Sequence, residues 1–349
     1  MKKLLFMLIG IALITGLMAE VNFYGQVRAG MWYYNMDKDF TGGKAKLDMT
    51  TKLYGNSRLG AKFKFENIKG KFELGLGGNN ASLRLAYAEY DFGAYSILVG
   101  QNYTGFPSKN LTAQAASIFT GGDFLGIGYG AAYDGRRAQI RFSTNNIYFI
   151  MMQPNKVNPA DLNAETIDAL FPKINFGYNY KSDNISLYPT FGLNYSAYNK
   201  DRAGRDDAIL AYAFATTFVF NADILCLKGQ VNYGQNVNNY GIGSVVVANA
   251  LWDVIKNEVI NTTTFGGFLQ ATLKTNIAKF TLGGTYTSGN NDTLDDADTA
   301  MSVFGQANFK LSKNFCIIPE IGLLAQMEDG KGDKEGSVMY FGTKLQAKF

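Results

Sequence analysis

Histidine is absent from the 349 residues. With it go the Ser/His/Asp triad, the Cys/His pair and the imidazole-ligated metal, so the commonest general base and the commonest metal ligand are both missing. A hydrolase would want that base, and no enzymatic activity is expected. The carboxylates cluster in two places, Asp292, Asp295, Asp296 and Asp298, then Glu328, Asp329, Asp333 and Glu335. Such hard oxygen ligands suit Ca²⁺, but the spacing is not D-x-[DN]-x-[DN]-G with its distant Glu, so solvated loop charge is expected, with no metal and no cofactor. Cys226 and Cys316 stand in separate segments without a C-x-x-C spacing, and are expected as isolated thiols packed like small side chains. The basic residues are arranged differently: Arg28, Arg58, Lys62, Lys64, Lys69 and Lys71 alternate with apolar neighbours at period two.

That period extends to the segments around them. In NFYGQVRAGMWYY, Phe23, Gly25, Val27, Ala29, Met31 and Tyr33 share one face, and Tyr24, Gln26, Arg28, Gly30 and Trp32 the other. Leu59, Ala61, Phe63 and Phe65 likewise oppose Arg58, Lys62, Lys64 and Glu66, and Ile68, Phe72, Leu74 and Leu76 oppose Lys69, Lys71 and Glu73. Alternation of this kind is a strand signal, and lysines at such density do not suit a soluble sandwich core. Sixteen strands are expected, at about 22–34, 57–66, 68–78, 81–92, 95–103, 136–143, 146–152, 173–180, 184–196, 207–220, 223–235, 263–275, 277–288, 301–311, 314–327 and 337–349. The segment 207–220 is unusual in being apolar on both faces.

The connections alternate as well. Tight turns at 67, 93–94, 144–145, 181–183, 221–222, 276 and 312–313 take turns with long segments near 35–56, 104–135, 153–172, 197–206, 236–262, 289–300 and 328–336, the one exception being Asn79 and Asn80. An up-and-down sheet with two unlike ends and an even strand number closes on itself and leaves no edge, the design of an outer-membrane barrel. Charged residues make up 18% of the chain, and the only unbroken apolar run is Leu4 to Leu17. Helical membrane bundles, which need about 20 apolar residues per span, are thereby excluded. Lys2 and Lys3, that apolar run and Ala19 follow the order of a secretory signal peptide, so residues 1–19 are expected to be removed and 20–349 to form one barrel domain in the cell outer membrane, against lipid. The mature charge, 31 basic against 29 acidic residues, does not call for nucleic acid. Three long connections carry helix signals: Ser108 to Phe119, PADLNAETIDALF behind Asn158, and Ser244 to Glu258.

Read as a set, these residues resemble the general (diffusion) porins of Gram-negative outer membranes. VNFYGQVRAGMWYY is similar to that family's first strand, GTKLQAKF to its last, and FTGGDF to the Glu-Phe-Gly-Gly-Asp stretch of its third loop; LRLAYAEYDFGAYSILVGQNYTGF looks like its fourth and fifth strands. The resemblance implies an all-β, 16-stranded antiparallel transmembrane β-barrel with an inward-folded third loop. It also implies a water-filled channel for passive diffusion of small hydrophilic solutes and ions, and a homotrimer. On the same basis Phe119, Gly121, Gly122 and Asp123 fall on the constriction loop, and Phe349 is the signal read by the barrel-assembly machinery. Arg28, Arg58, Arg84 and Arg137 or Arg141 stand where the family places a basic wall; parity puts all five in the lumen independently, with Lys62 beside them. Two departures matter. Phe119 stands where the motif has Glu and Thr104 to Gly122 carries no acid, so only Asp123 of the motif's acids remains, and the two-residue connection at Asn79 and Asn80 lacks the family's longer trimer latch.

Lumen-parity basic residues outnumber the carboxylates Glu66, Glu73 and Glu320, so the pore is expected to prefer anions. The alternative is a substrate-selective channel in which lumen tyrosines such as Tyr24, Tyr188 and Tyr233 form a stacking track for sugars or aromatic solutes. A plugged 22-stranded transporter does not fit the length.

Overall fold

The computed structural model describes residues 20–77, 80–106, 112–119, 123, 125–155, 167–169, 171–198 and 207–349. The expected signal peptide lies outside these residues. Nineteen hydrogen-bonded segments form one continuous antiparallel sheet. Two strands are each built from two segments, and the two-residue segment Ile167–Asp168 only adds to the end of one strand at Ala197 and Tyr198, so the nineteen segments make a closed barrel of sixteen strands.

In chain order these are β1 (Glu20–Met36), β2 (Lys46–Leu53 and Arg58–Phe65), β3 (Ile68–Gly75), β4 (Ser82–Asp91), β5 (Ser96–Tyr103), β6 (Arg136–Ser143), β7 (Ile147–Met152) and β8 (Lys173–Tyr178, continued by Tyr180–Lys181). The second half is β9 (Ile185–Tyr198), β10 (Ala208–Ala222), β11 (Leu225–Gln235), β12 (Thr263–Lys274), β13 (Ala278–Asn290), β14 (Asp298–Lys310), β15 (Phe315–Glu328) and β16 (Lys334–Lys348). Closure runs from Gln26 opposite Lys348 to Met36 opposite Val338. At its lower end the amide of Gly25 donates to the Phe349 carbonyl at 2.7 Å, and the Phe349 amide donates back at 3.1 Å.

Period two becomes two surfaces. Phe23, Leu269, Leu282 and Phe341 are exposed on the outside, at 75, 58, 71 and 55%. Their inward neighbours, Gln26, Gln270 and Lys344, are buried. An apolar belt around a polar interior inverts the soluble arrangement and suits a hydrocarbon surrounding.

Several expectations change. The connection 35–56 contains the first half of β2, Lys46–Leu53, which pairs with Ala29 to Met36. Between the halves, Tyr54 to Ser57 leaves the ladder and its Ser57 hydroxyl accepts from the Arg28 amide at 2.9 Å. The helix expected over Ser244 to Glu258 is a short hairpin, Leu251–Asp253 with Glu258–Ile260, turned by Asn257 at φ 58°. Its β-branched Val259 and Ile260 pair across the turn, and the apolar spacing reflects packing rather than a helical face. Within Ser108 to Phe119, the described residues 112–119 are irregular, and most of PADLNAETIDALF lies outside the described residues, though Ile167–Asp168 pairs with β9 as strand. The described helices are single turns, α1 (Lys38–Thr41) and α2 (Val237–Tyr240). Both cysteines are free.

Candidate functional site: the third connection and the basic wall

The alternation of β1 to β6 turns their basic side chains toward the interior, and the wall is organised around two buried carboxylates. Glu73 on β3 accepts from Arg84 Nε at 2.7 Å and from the Tyr24 hydroxyl at 2.7 Å, with Lys71 at 3.3 Å and Arg58 at 3.5 Å. Three cations therefore share one carboxylate. Arg84 reaches it through a β-bulge: Glu73 faces Leu85 and Leu74 faces Leu83, so Arg84 is the extra residue and both it and Leu85 are buried. The bulge also shifts parity downstream. Glu89, not among the expected lumen carboxylates, faces inward and meets Lys69 at 3.2 Å and the Ser96 hydroxyl at 2.7 Å.

The second carboxylate belongs to the connection between β5 and β6. Arg28 Nη1 donates to both oxygens of Asp123, at 2.9 and 2.8 Å, while Lys344 donates to Oδ2 at 2.8 Å and Asn56 to Oδ1. Burial alone would raise the Asp123 carboxyl, but Lys344, Arg28 and these hydrogen bonds hold it below the ordinary carboxylate value. Asp123 thus pins the connection to β1, β2 and β16. Neighbouring residues hold on in the same way. Glu320 on β15 accepts from the amides of Ala115 and Ala116 at 2.6 and 3.0 Å, and from the Tyr340 hydroxyl at 3.1 Å. Tyr54 donates to the Ala115 carbonyl at 2.9 Å, Gln270 accepts from the Ala113 amide at 2.7 Å, and Gln230 from the Ala132 amide at 2.6 Å. All of these partners are inward side chains of β2, β11, β12, β15 and β16. The apolar residues Ala115, Ala116, Ile118, Leu125 and Tyr129 pack there with Trp32, Ile318, Leu324, Val338 and Tyr340.

At its exit the connection is tied by Asp134, 3.1 Å from Arg137 and 2.6 Å from the fully buried Lys173. Burial prevails at this carboxyl, which lies above the ordinary value although Lys173 and Arg137 pull it down.

The expected site residues therefore fall into distinct places. Arg28 is paired to Asp123, Arg58 and Arg84 share Glu73, and Arg137 pairs with Asp134. Arg141 donates to the Tyr103 carbonyl at 2.5 Å and lies over the Tyr148 ring, and Lys62 lies 5.8 Å from the Tyr24 ring centre. Phe119 is half-exposed, stacked on Phe40 and edge-on to Tyr34. Gly121 and Gly122 lie outside the described residues. Tyr233 is outward, exposed in a row with Phe214 and Phe265, so it lines nothing in the interior. Below the wall a cavity of about 1070 Å³ is lined by Lys62, Lys64, Lys69, Lys71, Arg141 and Lys181 and by Tyr87, Tyr103, Tyr148, Tyr178, Tyr180 and Tyr188.

Across 95% of its length the chain superposes on the outer membrane channel DcaP of Acinetobacter baumannii, covering 98% of that protein at a TM-score of 0.68 and 20% identity. The fold is the porin fold. The same share of the chain matches all of the anion-selective porin from Comamonas acidovorans at a TM-score of 0.65 and 16% identity. Salmonella typhi OmpF, in complex with daunomycin, is matched over 94% of the chain and 97% of its own, at 0.60 and 14%. No protein-family model and no curated protein matches in sequence. What is shared is the fold, which depends on alternation and closure rather than on particular residues.

Proposed function

We propose that the chain is an outer-membrane porin: a water-filled channel for passive diffusion of small hydrophilic solutes and ions that prefers anions. The observation carrying this is the charge imbalance around Glu73 and Asp123. Arg28, Arg58, Lys71, Arg84 and Lys344 contact these two carboxylates, so five cations meet two anions, and a low-dielectric wall focuses the surplus into the passage. In this proposal the third connection folds inward and, with Phe119, Gly121, Gly122 and Asp123, forms the constriction against the basic wall. Its grip on inward side chains of β11 to β16, β1 and β2 supports that placement. Residues 1–19 act as the export signal, Phe349 as the signal to the barrel-assembly machinery, and the native assembly is a homotrimer.

The test is planar-bilayer recording of the purified protein under a KCl gradient. An anion-directed reversal potential is expected, reduced in Lys62→Ala/Arg141→Ala, whose cations have no carboxylate bonded to them among the described residues; a cation-selective wild type would reject the basic-wall reading. Chemical cross-linking in native membranes tests the trimer.

The tyrosine-lined cavity favours a second reading, a channel selective for sugars or aromatic solutes. Its mark would be concentration-dependent current block by such a solute, relieved in Tyr148→Ala/Tyr188→Ala.

A further inference from the structure

Strand β10 carries Ile209, Ala211, Ala213, Ala215 and Thr217 on its inward row, all at most 2% exposed. A water-filled lumen would leave such a row wet and favour polar side chains there. These alanines are covered instead, chiefly by the connection between β11 and β12: Val237, Tyr240, Ile242 and Ala248 form one buried cluster with Ala211, Ala213 and Ala215, joined by Phe106 and Ala132 of the third connection. Ala215 is the eighth residue of the 15-residue strand, so the covering segment descends to about mid-height. It is fastened there from several sides. Lys173 donates to the Tyr240 carbonyl at 2.5 Å and lies 3.9 Å from the centre of its ring, Asn175 donates to the Tyr240 hydroxyl, and Asn155 donates to the Tyr240 carbonyl at 2.9 Å. The segment also braces itself, since Asn239 Oδ1 accepts from the Ala250 amide at 2.8 Å. Finally it touches the third connection, the Val245 amide donating to the Gly128 carbonyl at 3.0 Å.

From this we infer that the connection 236–262 is a second pore-shaping element, which fills the β9 to β12 side of the lumen and, joined to the third connection at Gly128, confines permeation to the β1 to β8 side. This deepens the channel reading above and rests on it only for its electrical consequence. Small alanines are needed on β10 because a bulky inward residue would leave no room for Tyr240 and Ile242. Gly243 offers a free position on the segment: it is exposed, has no positive φ, and an added Cβ there would meet no atom within 4 Å. Gly43, in the outer turn after α1, is equally open and serves as the control.

Two measurements test the inference. In a Cys226→Ser/Cys316→Ser background, Gly243→Cys and Gly43→Cys are labelled on intact cells with N-ethylmaleimide and with a polyethylene-glycol maleimide too bulky for a porin-sized pore. Reaction of Gly243→Cys with the small reagent only, and of Gly43→Cys with both, is expected; equal reaction of both positions with the bulky reagent would overturn the inference, whether or not the protein conducts. In bilayers, Gly243→Trp is expected to lower single-channel conductance about twofold, because current is set at the narrowest section, with Gly43→Trp unchanged. Unaltered conductance in Gly243→Trp, in a barrel that keeps its heat-modifiable gel mobility, would also overturn it, whereas a silent wild type would count against the channel reading and leave the labelling result to decide this one.

Discussion

Asp123 concentrates more consequence than any other single residue. It closes a buried contact with Arg28 and Lys344, and breaking one side of such a contact costs about 3–5 kcal/mol because the other charge stays behind without a partner. Asp123→Ala is therefore expected to lower the stability of the detergent-solubilised barrel by about that amount in a urea titration, and to push the reversal potential further toward anions. The pH dependence has a definite sign. A carboxyl held below its unfolded value contributes fully above the ordinary value near pH 4, and loses that contribution as pH falls through the lower folded value. Asp134, raised by burial, takes up its proton first. Because the folded state holds that proton more tightly than the unfolded chain, protonating Asp134 costs no stability, so on acidification hydrogen exchange should rise around Asp123 while Tyr133 to Gly135 stay protected. Loss of protection at Tyr133 to Gly135 first would mean that the Asp134 carboxyl is held below its unfolded value.

At the scale of elements, β10 explains itself only with its cover in place. Ala213→Phe adds volume where Tyr240 and Ile242 pack, and overpacking of that kind costs about 1–3 kcal/mol. A lower melting temperature is expected from this variant together with a higher single-channel conductance, the second because the segment is displaced from the wall. A lower melting temperature with unchanged conductance would mean that the strand distorts and the segment stays. The bulge on β4 is comparable in importance. It brings Arg84 and Leu85 to the same side, so that Arg84 shares Glu73 with Arg58 and Lys71 while Glu89 further along the strand also faces inward.

For the whole molecule, closure is the decisive fact. The last rung is the reciprocal pair of hydrogen bonds between Gly25 and Phe349, with the aromatic ring lying where a side chain at position 25 would otherwise stand. Removing Phe349 is expected to lower the yield of folded, heat-modifiable barrel in outer membranes severalfold, since an edge left unpaired in hydrocarbon costs several kcal/mol for each open group. Gly25→Val should act in the same direction by evicting the ring.

How much of this was legible beforehand follows from the range of each interaction. Strand number, orientation and the two faces were written into period two and into the alternation of short and long connections, both local properties that a barrel must display whatever it conducts. The inward placement of Arg28, Arg58, Lys62, Arg84, Arg137 and Arg141 came from the same parity. Parity misassigned Tyr233 and overlooked Glu89, in the latter case because a bulge on β4 carries no local mark. The first half of β2 was lost in a loop for a similar reason, its eight residues being cut from the rest by Tyr54 to Ser57. Which carboxylate meets which cation was not legible at all: Asp123 and Lys344 stand 221 positions apart, and only closure of the ring brings them together. The burial of β10's alanines belongs to the same class, since an apolar inward row states that water is excluded there, while the segment that excludes it is chosen by the packed interior.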